Sequence, residues 1–100
     1  MIRNEMRPVH PGEILREEYL APLEMSVNAL ALALAVPVTR LHEIVKERRG
    51  VTADTACRLA RYFDTTPEFW LNLQAAYDVK TLPTRAEIAR KIEPREAMHG

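Results

Sequence analysis

The sequence is poor in the residues that build several common kinds of protein. Its 100 residues include one cysteine, three glycines and only 6% aromatic side chains. The single thiol of Cys57 cannot form an internal disulfide or supply the paired ligands of a zinc site. No glycine follows an asparagine or aspartate, so the strongest signal for a β-hairpin is missing. These shortages exclude a disulfide-stapled fold and disfavour a sheet.

Charge and hydrophobicity set further bounds. Lysine and arginine together match aspartate and glutamate at 14 each, so the net charge is zero and any attraction to nucleic acid must be local. No apolar run approaches the roughly 18 residues that cross a bilayer, and the N-terminus lacks the apolar stretch of a secretion signal. We therefore predict one globular, cytoplasmic domain with no membrane partner.

Catalytic patterns are also missing from the sequence. His10, His42 and His99 are scattered, and there is no HExxH spacing, GxSxG turn or glycine-rich phosphate loop. The chain is too short to hold a separate catalytic domain. We predict that the protein is not an enzyme and has no catalytic residue, metal or cofactor.

What the sequence does contain is apolar residues at helical spacing, in segments that open with good helix starts. These segments are HPGEILREEYLAPL from His10, SVNALALAL from Ser26, VTRLHEIVKER from Val38, TADTACRLARYF from Thr52, and TPEFWLNLQAAYDV from Thr66. Thr52 and Thr66 are the predicted N-caps of the last two helices. A shorter one, TRAEIARKI, starts at Thr84. We predict an all-α, five-helix domain over residues 10–79. A flexible arm (1–9) precedes it, and a partly helical extension (80–100) follows it and frays at its end.

The stretch ALALALAVPVTRLHEIV, from Ala29 to Val45, alternates like a strand but contains a proline. Alanine and leucine are strong helix formers, so propensity favours helix over strand. Pro37 cannot lie inside one continuous helix, which makes the stretch two helices joined by a corner. Ala31 is small enough for a close helix crossing, and Ala35 occupies a turn position where glycine is common. The pattern predicts a helix-turn-helix.

Longer motifs make the resemblance specific. HPGEIL with EYL, RRGVTADTACRLARYF and TTPEFWLNLQAAYD lie between His10 and Val79. This region resembles the HigA (VapI-type) antitoxins, a branch of the Xre/Cro-like, lambda-repressor-like proteins. The resemblance implies a five-helix DNA-binding domain that dimerises and represses its own promoter. It also implies a partner, a HigB-type toxin that degrades messenger RNA.

The third predicted helix is the recognition helix, whose first turns enter the major groove. After its buried stripe is removed, Val38, Thr39, Arg40 and Glu43 are the candidates for reading bases. Arginine suits guanine, glutamate suits cytosine and valine suits a thymine methyl, whereas threonine can offer either its hydroxyl or its methyl group. We interpret His42 as a surface residue instead.

Phosphate contacts are predicted at both ends of the motif. Ser26 and Asn28 open the second helix, where amides point outward, and Lys46, Arg48 and Arg49 follow the third. Basic residues outnumber acidic ones between positions 40 and 49, which favours a basic face. The alternative interpretation of the KERR segment is a solvated helix end, where cations are stabilised by the negative end of the helix dipole.

Apolar residues late in the chain are candidates for a dimer interface, because repressors of this type pair on two half-sites. The predicted interface residues are Trp70, Leu71, Leu82 and Ile88. Phe69 and Leu73 are predicted to lie in the core, and Cys57 to be a small core hydrophobe.

The predicted partners are therefore double-stranded DNA of its own operator, a HigB-type toxin and a second copy of the chain. Two alternatives stay open. One is a stand-alone Xre-type regulator without a toxin. The other is a protein-interaction module that has lost DNA binding, which Thr39, Arg40 and Lys46 on the third helix argue against.

Overall fold

A computed structural model describes residues 7–96, and this part of the chain contains helices joined by short turns and no strand. The all-α prediction is confirmed. Helix α1 (11–23) consists of the consecutive segments Pro11–Ile14, Leu15–Leu20 and Ala21–Leu23. It is followed by α2 (Val27–Leu34), α3 (Val38–Val45), α4 (Ala53–Phe63), α5 (Pro67–Lys80) and α6 (Arg85–Lys91). Most of the predicted N-terminal arm and the end of the predicted C-terminal tail lie outside the described residues.

Helix α1 changes its hydrogen bonding midway. Between Leu15 and Leu20 it is π-helical, and the Ala21 N–H donates to the carbonyl of Arg16, five residues back. Pro22 has no N–H to donate, and the wider turn precedes it directly. The backbone stays right-handed through both junctions, so the three segments form one continuous rod.

The predicted N-caps are confirmed at three helices. Ser26 Oγ accepts the Ala29 N–H at 3.0 Å, and the Thr66 hydroxyl accepts the Phe69 N–H at 3.1 Å. The Thr52 hydroxyl accepts the Thr55 N–H at 3.4 Å. Each cap satisfies one donor that a helix start leaves unpaired. The side chain of Thr84 makes no capping hydrogen bond to α6.

Because glycine is scarce, residues with a side chain take the left-handed positions that end the helices. These residues are Glu24, Ala35, Glu47 and Asp64, with φ between 51° and 63°. At the corner after α2, the Val36 N–H donates to the Ala31 carbonyl at 3.1 Å and the Ala35 N–H donates to the Leu32 carbonyl at 3.2 Å. This pair of bonds is the Schellman arrangement. Left-handed Ala35 costs about 1 kcal/mol relative to glycine.

The core lies where α1 to α5 meet. Helix α3 packs on α2 and α1, α4 packs on α2 and α5, and α1 also contacts α5. Ala31 is almost fully buried, as the close crossing of α2 requires. The largest fully buried apolar side chains are Trp70, Leu15, Leu30, Leu41, Ile44 and Leu59. From Asp78 to Glu96 every residue is exposed, so α6 adds nothing to this core.

Three predictions about burial are wrong. Cys57 is exposed on α4 and is not a core residue. Phe69 is 38% exposed, whereas its neighbour Trp70 is 0% exposed. Adjacent helical residues point about 100° apart, so only one of the two can face the centre of the core. Trp70 therefore has no surface to offer a second chain, and its assignment to the dimer interface is corrected. Leu73 and Leu71 are half-buried against the core.

His10 is a buried N-cap. Its Nδ1 accepts the Gly12 N–H at 2.8 Å, and its ring meets Tyr77 edge-on at 4.8 Å between centroids. Accepting that bond requires Nδ1 to carry no proton. Burial lowers the pKa of His10 below the ordinary 6.5, with a smaller contribution from Arg16, while Glu47 and Asp78 oppose the shift. The neutral form is therefore the one that stabilises the fold.

We expect stability to fall as the solution is acidified below pH 6.5. The folded pKa is lower than the unfolded one, so His10 contributes fully above the unfolded value and loses that contribution as pH falls toward the folded value. The loss should be about 1 kcal/mol, typical of an N-cap. Urea unfolding at pH 7.5 and 5.5 measures it. His10→Asn keeps a capping side chain that does not titrate, and an equal loss in this variant would contradict the assignment.

Candidate nucleic-acid interface

The first turn of α3 lies at the protein surface. Val38 is 39% exposed, Thr39 is exposed, and Arg40 and Glu43 are partly exposed. The opposite face of the helix carries buried Leu41, whose packing fixes how the helix is rotated. The structure thus places the four predicted base-reading side chains on the outer side of one short helix.

The start of α2 lies close to α3 at this surface. Ser26 and Asn28 are both exposed, although the Ser26 hydroxyl already accepts an amide of its own helix. The Asn28 side-chain oxygen lies 3.1 Å from His42 Nε2. This contact joins the outer faces of α2 and α3. His42 is partly buried and takes part in this link.

The basic residues after α3 are exposed. Lys46, Arg48 and Arg49 lie at the end of the helix and in the turn that follows it. Arg49 is paired with Glu43 of α3 at 2.9 Å. This pair neutralises part of the local charge, so Lys46 and Arg48 supply most of the positive field there.

A polar groove of about 440 Å³ lies beside the N-terminus of α3. Three guanidinium groups line it, from Arg40, Arg49 and Arg58, together with the acidic side chain of Asp54. Arg58 Nε and Asp54 Oδ2 are 2.9 Å apart, and Arg40 Nη1 lies 3.5 Å from the same oxygen. The groove therefore combines cations from α3, from the turn that follows it and from α4.

Arg58 also supports the helix-turn-helix corner. Its Nη1 donates to the carbonyls of Leu34 at 2.8 Å and Ala35 at 3.3 Å. Leu34 is the last residue of α2 and Ala35 is its C-cap, and the helix itself provides no donor for the carbonyls at this end. A side chain from α4 thus fixes the turn that sets the angle between α2 and α3.

Arg16 has the matching role at the other end of α3. Its Nη1 donates to the Val45 carbonyl at 2.6 Å, and its Nη2 lies 3.4 Å from Glu47. Hydrogen bonding to Glu17 and then to Glu47 raises the pKa of Arg16. Helix α3 is thus held at its C-terminal end by α1.

Arg16, Asp54 and Arg58 were not among the site residues predicted from the sequence. Arg16 and Arg58 donate to carbonyls 29 and 24 residues away, and no periodicity predicts such a contact. One partial signal was present, because Asp54 and Arg58 have the i,i+4 spacing of a helical ion pair. That spacing predicts the ion pair but not the hydrogen bonds of Arg58 to the turn between α2 and α3.

Other kinds of site find little support in the part of the chain that the structure describes. Residues 7–96 contain no group of histidine, cysteine, aspartate and glutamate side chains that could hold a metal ion. None of their helices is long and apolar enough to cross a membrane.

A short exposed helix set at a tight corner against a second helix, with cations around its first turn, defines a helix-turn-helix domain of the Xre/Cro-like class. The chain has close relatives of this class. It is 60% identical over 78 residues to virulence-associated protein I of Dichelobacter nodosus, covering 78% of this chain and 72% of the relative. It is 38% identical to antitoxin HigA-1 of Vibrio cholerae, covering 94% of this chain and 90% of the relative.

A solved structure of an antitoxin is also similar to this chain in fold and in sequence. Pseudomonas aeruginosa antitoxin HigA with the higBA promoter has a TM-score of 0.85 and 49% identity, covering 88% of this chain and 98% of that one. No model of a protein family matches the chain. The identities and coverage nonetheless establish that the chain belongs to the HigA (VapI-type) family of Xre-type helix-turn-helix regulators.

Proposed function

We propose that the protein is a DNA-binding antitoxin that represses its own promoter as a dimer and neutralises a HigB-type toxin. The observation that carries the proposal is the exposed first turn of α3, which presents Val38, Thr39 and Arg40 beside a groove lined by arginines. The similarity to an antitoxin solved with promoter DNA supports the same conclusion. Residues 10–79 form the DNA-binding unit.

In this proposal α3 enters the major groove, and each of its exposed side chains contacts a different base. Arg40 binds guanine in a bidentate manner, Thr39 and Val38 contact thymine methyls, and Glu43 accepts from cytosine. Phosphates are held around these contacts. The phosphate-binding residues are Ser26, Asn28, Lys46, Arg48 and Arg49.

The dimer follows from the size of the site. One eight-residue recognition helix buries too little surface for tight specific binding, so two copies bind half-sites about 34 Å apart. Leu82 is 45% exposed and Ile88 is 44% exposed, so the described residues 7–96 leave nearly half of each side chain uncovered. We propose that these residues and half-buried Leu71 meet a second chain, with Trp70 supporting them from the core.

The toxin is the partner that the family relationship implies. A relative named antitoxin HigA-1 aligns with 94% of this chain, including part of the extension after residue 79. We therefore propose that the described domain and its extension together form the antitoxin.

The test of the proposal is the Arg40→Ala variant, measured against the chain's own upstream DNA and a scrambled duplex. Loss of a bidentate base contact removes about 1–3 kcal/mol of discrimination, so preference for the upstream DNA should fall about fivefold to 150-fold. Fluorescence anisotropy titration of both duplexes measures it. Equal preference in variant and parent would contradict base reading by Arg40.

Lys46→Ala is the matched control. Lys46 also lies on the basic side of this surface, but its proposed contact is a phosphate. It should weaken binding to both duplexes alike and reduce the slope of log K against log salt by about 1.

A further inference from the structure

The candidate base-reading residue Arg40 has an acidic neighbour that belongs to another helix. Asp54, in the first turn of α4, places Oδ2 3.5 Å from Arg40 Nη1. At this distance the contact is an ion pair and not a short hydrogen bond, so it orients the guanidinium without fastening it. Arg40 lines the groove beside α3 together with this carboxylate.

The carboxylate of Asp54 is itself held in place. Arg58, one turn further along α4, donates through Nε to the same Oδ2 at 2.9 Å. Arg58 then reaches the corner of the helix-turn-helix through Nη1, which donates to the Leu34 and Ala35 carbonyls. The contacts form one continuous series from the turn, through Arg58 and Asp54, to Arg40.

We infer that Asp54 is a positioning residue that sets the direction of Arg40 before DNA arrives. The inference rests on the proposed function of Arg40 as a base reader. An arginine side chain is long and flexible, and ordering it on binding reduces affinity. A carboxylate fixed by Arg58 removes part of that disorder in the free protein. Because Arg58 also holds the turn, the direction of Arg40 is coupled to the angle between α2 and α3.

The positioning role of Asp54 and its negative charge have opposite expected effects on DNA binding. A carboxylate beside DNA repels phosphate, so removing it by itself should tighten binding to every duplex and leave the preference between duplexes unchanged. Loss of positioning lowers the preference for the upstream DNA, because a correctly placed guanidinium forms its hydrogen bonds only with the correct base. The ratio of the two affinities therefore separates positioning from charge.

The experiment compares Asp54→Asn with the unaltered chain on its own upstream DNA and on a scrambled duplex, at one salt concentration. We expect the ratio of affinities to fall about threefold to tenfold, the scale of coupling between neighbouring charged groups. Asp64→Asn is the matched control, because it removes the same charge at the other end of α4, at an exposed left-handed position that asparagine tolerates. That control should leave the ratio unchanged. An unchanged ratio in Asp54→Asn as well would overturn the inference.

A second arm asks whether Asp54 acts through Arg40. In an Arg40→Ala background, adding Asp54→Asn should change the ratio by less than about twofold, because there is no guanidinium left to place. A further fall of the same size would overturn the inference. If the unaltered chain shows no preference for the upstream DNA, the proposed function fails and this inference fails with it. If that preference is present and Asp54→Asn retains it, only the positioning role fails.

Discussion

Replacing Gly12 with alanine is expected to lower the free energy of unfolding by about 3 kcal/mol or more, which is a large part of the stability of a small domain. A Cβ atom at Gly12 would collide with the carbonyl oxygen of Ile44 and lie 2.8 Å from its carbonyl carbon. Both atoms belong to the backbone of α3, which cannot yield as a side chain can. The close approach of α1 to α3 thus depends on this glycine.

Urea unfolding followed by circular dichroism measures the effect, and Gly50→Ala is the control. A Cβ there would meet the Gln74 side chain at 3.0 Å, and a flexible side chain can move. Because Gln74 Oε1 accepts the Val51 N–H at 2.8 Å, we expect a loss of about 1 kcal/mol in this control. Equal stability of Gly12→Ala and the unaltered chain would show that α1 does not pack on α3 as described.

Trp70→Ala is expected to have a similarly large effect, a loss of about 3–5 kcal/mol in the free energy of unfolding. The indole is fully buried, lies 5.3 Å from the Tyr19 ring between centroids, and donates through Nε1 to the Thr65 hydroxyl at 2.9 Å. Its removal leaves a cavity where α1 meets α5 and an unpaired hydroxyl. The loss should be independent of protein concentration, because the contacts lie within one protomer.

The adjacent aromatic residue supplies the comparison. Phe69 is partly exposed, so Phe69→Ala should destabilise the protein by less than about 2 kcal/mol. Thermal unfolding at several protein concentrations separates the two cases. A folded Trp70→Ala protomer that has only lost a partner chain would contradict the burial of Trp70 and restore its assignment to the dimer interface.

The parts of the fold that could be predicted are those fixed by local chemistry. Caps at Ser26, Thr52 and Thr66 follow from the hydroxyl at each helix start, and the corner at Ala35 follows from Pro37 two residues later. Each depends on residues within one or two turns. Sequence spacing is a sound guide at that range.

The parts that could not be predicted depend on distance or on fine rotation of a helix. Cys57 and Phe69 lie beside the buried stripes of their helices, and periodicity locates the centre of a stripe better than its edge. The hydrogen bonds of Arg16 and Arg58 join residues far apart in the chain. The first turn of α3 was predictable because it is local, whereas the groups that hold it were not.

We propose that α3 reads the sequence of the protein's own promoter. The most direct measurement is equilibrium binding of the unaltered chain to its upstream DNA and to a scrambled duplex across a salt series. We expect binding to the upstream DNA to be at least about a thousandfold tighter, with both affinities falling as salt rises. Equal, weak binding to the two duplexes would contradict it.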